Sequence, residues 1–260
     1  MLSAMLATAF IAMPTAYATE AATAEAASPH TLTTNIGFFT DYTFRGISYT
    51  RERGAVQGGI DYSHSSGFFL GAWGTNVDKN AFAGNTSEFD IYGGYVHQFA
   101  DDLNMNVGFI QYFYPDSDRP FGLNGNKGGS PNNFELNAAV TYKYFTLKHS
   151  ASVTDYFGTD FGDGNSRGSG YTELNVNYKL PVADLNLVAH VGRLNVRNYS
   201  EYNYTDWLVG VNKDFSIAGS KGWNAGVNYT TTNADDNIYA DGRGWETGND
   251  RFIGYIKRTF

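Results

Sequence analysis

Cysteine is absent from the 260 residues, which removes disulfide frameworks and thiolate metal sites together. Proline is scarce, at 6 residues, and no stretch offers the ~20 consecutive apolar residues that a membrane-spanning helix needs. Mean hydropathy is −0.36 although 42% of the chain is hydrophobic, so the apolar residues are dispersed rather than gathered in runs. Basic residues are outnumbered, 18 Lys and Arg against 26 Asp and Glu, for a net charge of −8. That deficit argues against a nucleic-acid partner, whose phosphates call for clustered Lys and Arg. Phosphate loops, dinucleotide fingerprints and zinc spacings are missing, and neither a cofactor nor a metal site is expected.

Aromatics and glycine are abundant instead, with 19 Tyr, 19 Phe and 30 Gly. Aromatic and β-branched residues suit pleated surfaces, while Gly and Asn gather where turns are needed. From residue 31 onward the sequence reads as twelve candidate strands, with ten or fourteen also compatible. In the first, Leu32, Thr34, Ile36, Phe38, Thr40, Tyr42 and Phe44 share one face. Thr33, Asn35, Gly37, Asp41, Thr43 and Arg45 share the other, with Phe39 an exception. The sixth sets Phe134, Leu136, Ala138, Val140, Tyr142 and Tyr144 against Glu135, Asn137, Thr141 and Lys143. The eighth and eleventh alternate in the same way over Glu173 to Leu180 and Trp223 to Thr230. Segments 67–77, 87–99 and 103–115 lose phase midway; the break at Ile110 predicts a bulge or a switch in facing.

The connections decide the architecture. Those near 63–67, 100–102, 144–145, 181–184 and 216–222 are tight. Those near 48–54, 78–86, 115–133, 158–170, 195–203 and 233–250 are mostly longer and rich in Gly, Asn and Asp. The two sets alternate along the chain, although 48–54 and 216–222 are of similar length. A soluble sandwich has no reason to sort loops by the end they occupy. A closed antiparallel transmembrane β-barrel does, with short periplasmic turns and long extracellular loops. Residues 2–13 are apolar and precede Ala16, Tyr17 and Ala18, a small-x-small cleavage pattern, although no Lys or Arg comes before the apolar run. The expected organisation is a signal peptide over 1–18, a flexible lead-in over 19–30 and the barrel over 31–260, in the bacterial outer membrane after export through the periplasm.

Several strings resemble one known family: IGFFTDYTFRGISYT (36–50), QGGIDYSHSSGFFLGAWGTNV (57–77), EFDIYGGY (88–95) and QYFYP (111–115). They are similar to the TorF-like porins, also grouped as the uncharacterised Gcw_chp bacterial proteins. The resemblance runs from about residue 35 to the C-terminus. It implies an outer-membrane barrel with a pore role and supplies no substrate or catalytic residue. The last strand, 251–260, also resembles the assembly signal that barrel-assembly machinery reads. Phe252, Gly254, Ile256 and Phe260 share a face, and Arg258 stands where an apolar residue is usual.

If the apolar faces meet lipid, the opposite faces line the lumen. There Asp41, Glu88, Asp90, Glu135, Glu173 and Asp206 fall toward the outer mouth, and Lys143, Lys148, Lys179 and Lys257 toward the periplasmic end. Arg45, Asp61 and Asp214 break that sorting. An acidic vestibule above a basic zone would tune ion passage; alternatively these groups pair across the barrel and fill it. Asp41 and Arg45, four apart, share a strand face as either a gating pair or an ion pair that pins register. The acidic stretches 160–165 and 235–241 lack the ligand spacing of calcium loops. His149 and Ser150 are adjacent and so face opposite ways on a strand. His190 lies on a polar face where it could meet a serine, but no esterase signature surrounds it.

The expected function is a porin or narrow channel for small hydrophilic solutes or ions. The alternatives are a non-conducting barrel with a structural or loop-binding role and, less favoured, an outer-membrane enzyme. Expected partners are outer-membrane lipid, lipopolysaccharide, the assembly machinery and the solutes themselves.

Overall fold

A computed structural model describes residues 28–82, 84–115, 129–241 and 243–260. The expected signal peptide, most of the lead-in and the middle of the 115–133 connection lie outside the described residues. The strands are β1 (His30–Phe39), β2 (Thr43–Phe44), β3 (Ile47–Ser48), β4 (Ala55–His64), β5 (Phe68–Asn76), β6 (Ser87–Ala100) and β7 (Leu103–Phe113). They continue as β8 (Asn133–Tyr142), β9 (Phe145–Ser152), β10 (Gly170–Lys179), β11 (Leu185–Asn195), β12 (Tyr204–Ile217), β13 (Ser220–Thr232) and β14 (Arg251–Thr259).

All but β2 and β3 join in one closed sheet, β1-β14-β13-β12-β11-β10-β9-β8-β7-β6-β5-β4, which closes as β4 returns to β1. The wall is therefore twelve-stranded, and every neighbouring pair is antiparallel. β1 pairs with β4 through Phe39↔Ala55 to His30↔His64 and with β14 through Asn35↔Thr259 to Phe39↔Tyr255. No edge strand is left in the wall. At one end the strands are joined by 65–67, 101–102, 143–144, 180–184 and 218–219. At the other they are joined by 40–54, 77–86, 114–132, 153–169, 196–203 and 233–250. The two connections that read alike in sequence separate here: the first reaches back to residue 40, and the last turn shrinks to 218–219. Ala218 and Gly219 both take positive φ, 50° and 81°, as a two-residue hairpin turn of the primed type requires.

The faces are inverted relative to a soluble protein. Ile60, Leu70, Ile91, Val107, Leu136, Leu147, Leu174, Val209 and Phe252 stand exposed on the outside. Asn106, Glu135, Asn175, Asn186, Asn212, Asn228 and Thr230 are buried on the inside. Among the described residues no helix is long and apolar enough to cross a membrane. A closed wall with this exterior belongs in hydrocarbon, where every peptide group must be paired within the wall.

Two expectations about phase need correction. β1 stops at Phe39 rather than running on through Arg45, because residues 40–54 leave the wall and only β4 and β14 flank it. Ile110 is not a bulge: it pairs directly with Tyr92 and keeps register. The register shifts fall at Gln98/Ala100 and Phe215/Ile217, near the turn end. Ile110 and Tyr112 are apolar on an inward face because the interior there is a packed core rather than a wet lumen. Phe39, the exception in the first strand, is buried for the same reason and stacks on Tyr255 at 5.3 Å.

Val107 lies mid-strand on the outer face. Val107→Arg is expected to cost about 2–4 kcal/mol of stability in bilayers, as arginine does near the midplane of a barrel. Denaturant unfolding in vesicles measures this. The wild-type band should also shift on boiling before electrophoresis, and an unshifted band would contradict the closed wall.

Candidate functional site

Segment 40–54, between β1 and β4, does not project from the barrel. It folds into the loop-end mouth, and each of residues 41–50 is buried. Asp41 starts the inward bend. Its Oδ1 accepts from Ser48 Oγ at 2.7 Å, Thr50 Oγ1 at 2.6 Å and the Glu52 N–H at 3.1 Å, so the two arms of the segment are tied together. Between those ties β2 and β3 form a small hairpin with pairs Thr43↔Ser48 and Phe44↔Ile47. Arg45 and Gly46 make its tip with φ of 51° and 81°, again the two-residue primed turn that matches strand twist. Glycine is needed at the second position for space as well: a Cβ there would sit 2.7 Å from Asp206 Cβ.

The hairpin is held from several sides of the wall. The Arg45 guanidinium meets Glu135 of β8 with two hydrogen bonds, Nη2–Oε2 at 2.8 Å and Nη1–Oε1 at 3.1 Å. It also donates to Tyr156 Oη at 3.1 Å and lies 4.3 Å from the Tyr171 ring centroid of β10. Burial works against the arginine's charge, but the Glu135 carboxylate outweighs it and lifts the pKa above its ordinary value. Asp41 Oδ2 pairs with Arg251 of β14 at 3.1 Å. Tyr42 Oη donates to Glu88 Oε1 of β6 at 3.0 Å. Between these polar anchors the hairpin packs on rings: Tyr42 on Trp73, Phe44 on Tyr112 and Phe157, Tyr49 on Phe82 at 4.5 Å. The 233–250 loop closes over it, with the Ser48 N–H on Thr247 O at 2.8 Å and Arg51 against Asp241 at 2.8 Å. Segment 40–54 is thus a plug with its own aromatic core.

Asp41 and Arg45 are therefore not partners. Four-residue spacing would put both on one strand face had the strand stayed extended, but the chain has already turned into a hairpin. Glu88, Asp90, Glu135, Glu173 and Asp206 are all buried on the inner wall toward the loop end. The basic zone proves thinner than the sequence suggests. Lys148 pairs directly with Glu173 across β9 and β10 and lies 3.4 Å from it, so both share one height. Lys143 is exposed in the turn 143–144, and Lys179 is exposed beside Asp184 at 3.7 Å. Lys257 alone of that set is buried on the inner wall near the turn end. Asp61 is half-buried beneath Tyr92, to which it is hydrogen-bonded, and Asp214 is exposed.

His190 meets Tyr171 Oη at 2.9 Å, Asp206 Oδ1 at 3.0 Å and Asn175 Oδ1 at 2.7 Å rather than a serine. His149 is exposed, whereas the adjacent Ser150 is buried. The acidic stretch 235–241 is spent on turn geometry: Asp241 Oδ1 accepts the N–H groups of Arg243 and Trp245. Phe252, Ile256 and Phe260 all face outward. Arg258, which departs from the pattern, lays its guanidinium 4.2 Å from the Phe260 ring centroid, in keeping with a side chain that snorkels. Among the described residues no group of three or more His, Asp or Glu is placed to hold a metal.

Arg251, Tyr156, Tyr171 and Trp73 escaped the sequence reading as site residues. Strand parity places Arg251 on the same face as Lys257, so its inward direction was available. Its partner, 210 positions away, was not.

None of the curated proteins matches this sequence. Among solved structures, the KdgM porin in complex with disordered oligogalacturonate aligns with a TM-score of 0.54 and 8% identity, covering 88% of this chain and 99% of that one. OprD from Pseudomonas aeruginosa aligns with a TM-score of 0.40 and 14% identity over 88% of this chain and 65% of that one. At such identities the KdgM likeness is one of fold: a porin-type barrel. A family profile described as a bacterial protein of unknown function matches residues 23–260, and the chain belongs to that family, Gcw_chp.

Proposed function

We propose that this barrel is an outer-membrane channel for small hydrophilic solutes or ions, narrowed at its outer mouth by the plug 40–54. The observation that carries the reading is the division of the interior into two halves. The loop-end half is packed with rings around the plug. Farther toward the turns the inward residues include Asn186, Asn212, Asn224 and Lys257, all buried and polar. These amides form a hydrogen-bonded row, Asn186 Nδ2 to Asn212 Oδ1 at 3.1 Å and Asn224 Nδ2 to Asn212 Oδ1 at 2.9 Å, which offsets the cost of turning polar groups inward. Amides and a lysine suit a watered passage, and twelve strands give a bore wider than the eight at which side chains fill the interior. Of the lumen candidates, Asp41, Arg45, Glu88, Asp90, Glu135 and Asp206 would act at the plug, and Lys257 on the path beneath it. The resemblance to TorF-like porins agrees with this reading, which would set the wall in outer-membrane lipid and lipopolysaccharide after export through the periplasm.

A second reading rests on the full burial of residues 41–50: a closed barrel with a structural role. The two separate on conductance. In planar bilayers the wild type is expected to show small, infrequent openings. Arg45→Ala strands Glu135 without its partner, a loss of about 3–5 kcal/mol for a broken buried pair, and should raise open probability at least several-fold. Gly46→Val, which drives a side chain into Asp206 and into an unfavourable φ, should do the same without removing any charge. Silence from wild type and from both variants, each shown to be folded by heat-modifiable migration, would favour the structural reading.

A further inference from the structure

Between the plug and the turns the inner wall is rich in carboxamides. The buried row on β11, β12 and β13 is joined through Asn212 Oδ1, which accepts from both Asn186 and Asn224. That row is not saturated. Asn224 Oδ1, Tyr255 Oη and both polar atoms of Asn228 are buried without a hydrogen-bond partner. Buried polar groups of this kind call for an ordered water or a bound molecule. Space for one lies across the bore. Asn35 of β1, Asn104 of β7, Asn137 of β8 and Asn177 of β10 are only half-buried. Their chain neighbours Ile36, Met105, Leu136 and Tyr178 stand on the outer face, so by strand alternation all four amides point inward. Their exposure therefore opens onto the interior. At the turn-end rim Gln98, Lys179 and Asp214 are exposed, so the space is reached from the end away from the plug. Two wall glycines keep it clear. Tyr255 lies flat over Gly226, where a Cβ would stand 2.7 Å from Tyr255 Cζ, and Asn228 lies over Gly210 in the same way. The charges in this half are mostly answered already: Lys148 by Glu173 at 3.4 Å, Lys179 by Asp184 at 3.7 Å and Asp214 by the Asn224 amide at 2.7 Å. Lys257, the cross-strand neighbour of Asn224, is the exception.

We propose that this carboxamide-lined half binds uncharged polyhydroxylated solutes of the sugar class in preference to ions. The inference rests on the channel reading and names the solute class of that path. A carboxamide presents donors and an acceptor side by side, and a sugar hydroxyl likewise donates and accepts. A carboxylate only accepts and an ammonium only donates. A sugar entering the bore exchanges hydrogen bonds with water for hydrogen bonds with the wall. An ion entering it gives up hydration among groups that carry little countercharge, which costs far more.

Saturation-transfer NMR on the full-length refolded barrel tests binding without requiring passage. The detergent is an amine oxide, because glucoside or maltoside headgroups would compete with the probe. Maltotriose should receive saturation, and trilysine and citrate at least fivefold less. Asn137→Leu with Asn177→Leu keeps side-chain volume but removes the amides, and should cut the maltotriose signal at least fivefold while heat-modifiable migration persists. Asn35→Leu alone should cut it in the same direction and serves if the double variant fails to fold. Asp235→Asn with Asp236→Asn, on the outer loop, should leave it unchanged. No maltotriose signal from the wild type, equal signals from the charged probes, or a signal unmoved by the leucine variants would each overturn the inference. Bilayer conductance is read separately. A barrel that conducts but fails these tests keeps the channel reading and loses the solute class, and a silent barrel that passes them does the reverse.

Discussion

In hydrocarbon a peptide N–H or C=O has no water to turn to, and each one left unpaired costs several kcal/mol. That constraint governs everything else in this protein. It forces the sheet to close, so that β1 holds β4 on one side and β14 on the other. Closure in turn confines irregular backbone to the two ends. The strands between them must show lipid on one face and the interior on the other, which is why Leu136 is exposed while Glu135 beside it is buried.

The plug follows from the same logic applied inside. A hairpin entering a barrel mouth exposes backbone and side-chain polar groups that the wall must satisfy. Here Asp41 ties the neck of the hairpin, Arg45 at its tip reaches β8, and Tyr42 reaches β6. The spaces between these anchors are filled by rings rather than by aliphatic side chains. Flat rings pack densely against one another, and the Tyr42 and Tyr156 hydroxyls still find partners at their rims. The mouth is therefore a small globular core enclosed by a membrane wall. Its polar contacts reach well-separated strands, so the hairpin is oriented as well as held.

Much of the wall was legible from alternation and loop length. Twelve strands, their antiparallel order, the loop-rich end and the outward face of the last strand all follow from period two and turn chemistry. The errors share one cause. Phe39, Ile110 and Tyr112 look like lapses in phase because alternation assumes a wet lumen. They face the plug core, where an inward residue should be apolar. Alternation carries the first strand through Arg45, whereas Arg45 and Gly46 form the two-residue turn of the hairpin. Local pattern does not distinguish a strand that continues from a hairpin that follows at once.

Sequence alone determined the solvent of each face, since hydrophobicity at every second position is a local property that needs no partner to express. It also determined where the turns between wall strands fall, though not the Arg45–Gly46 turn of the plug, because φ preferences belong to single residues. Pairing was settled only by the assembled barrel. Whether Arg45 would meet Asp41 or Glu135 depends on strands brought together around the circumference. Contacts between Asp41 and Arg251, at opposite ends of the chain, exist only after closure makes the first and last strands neighbours.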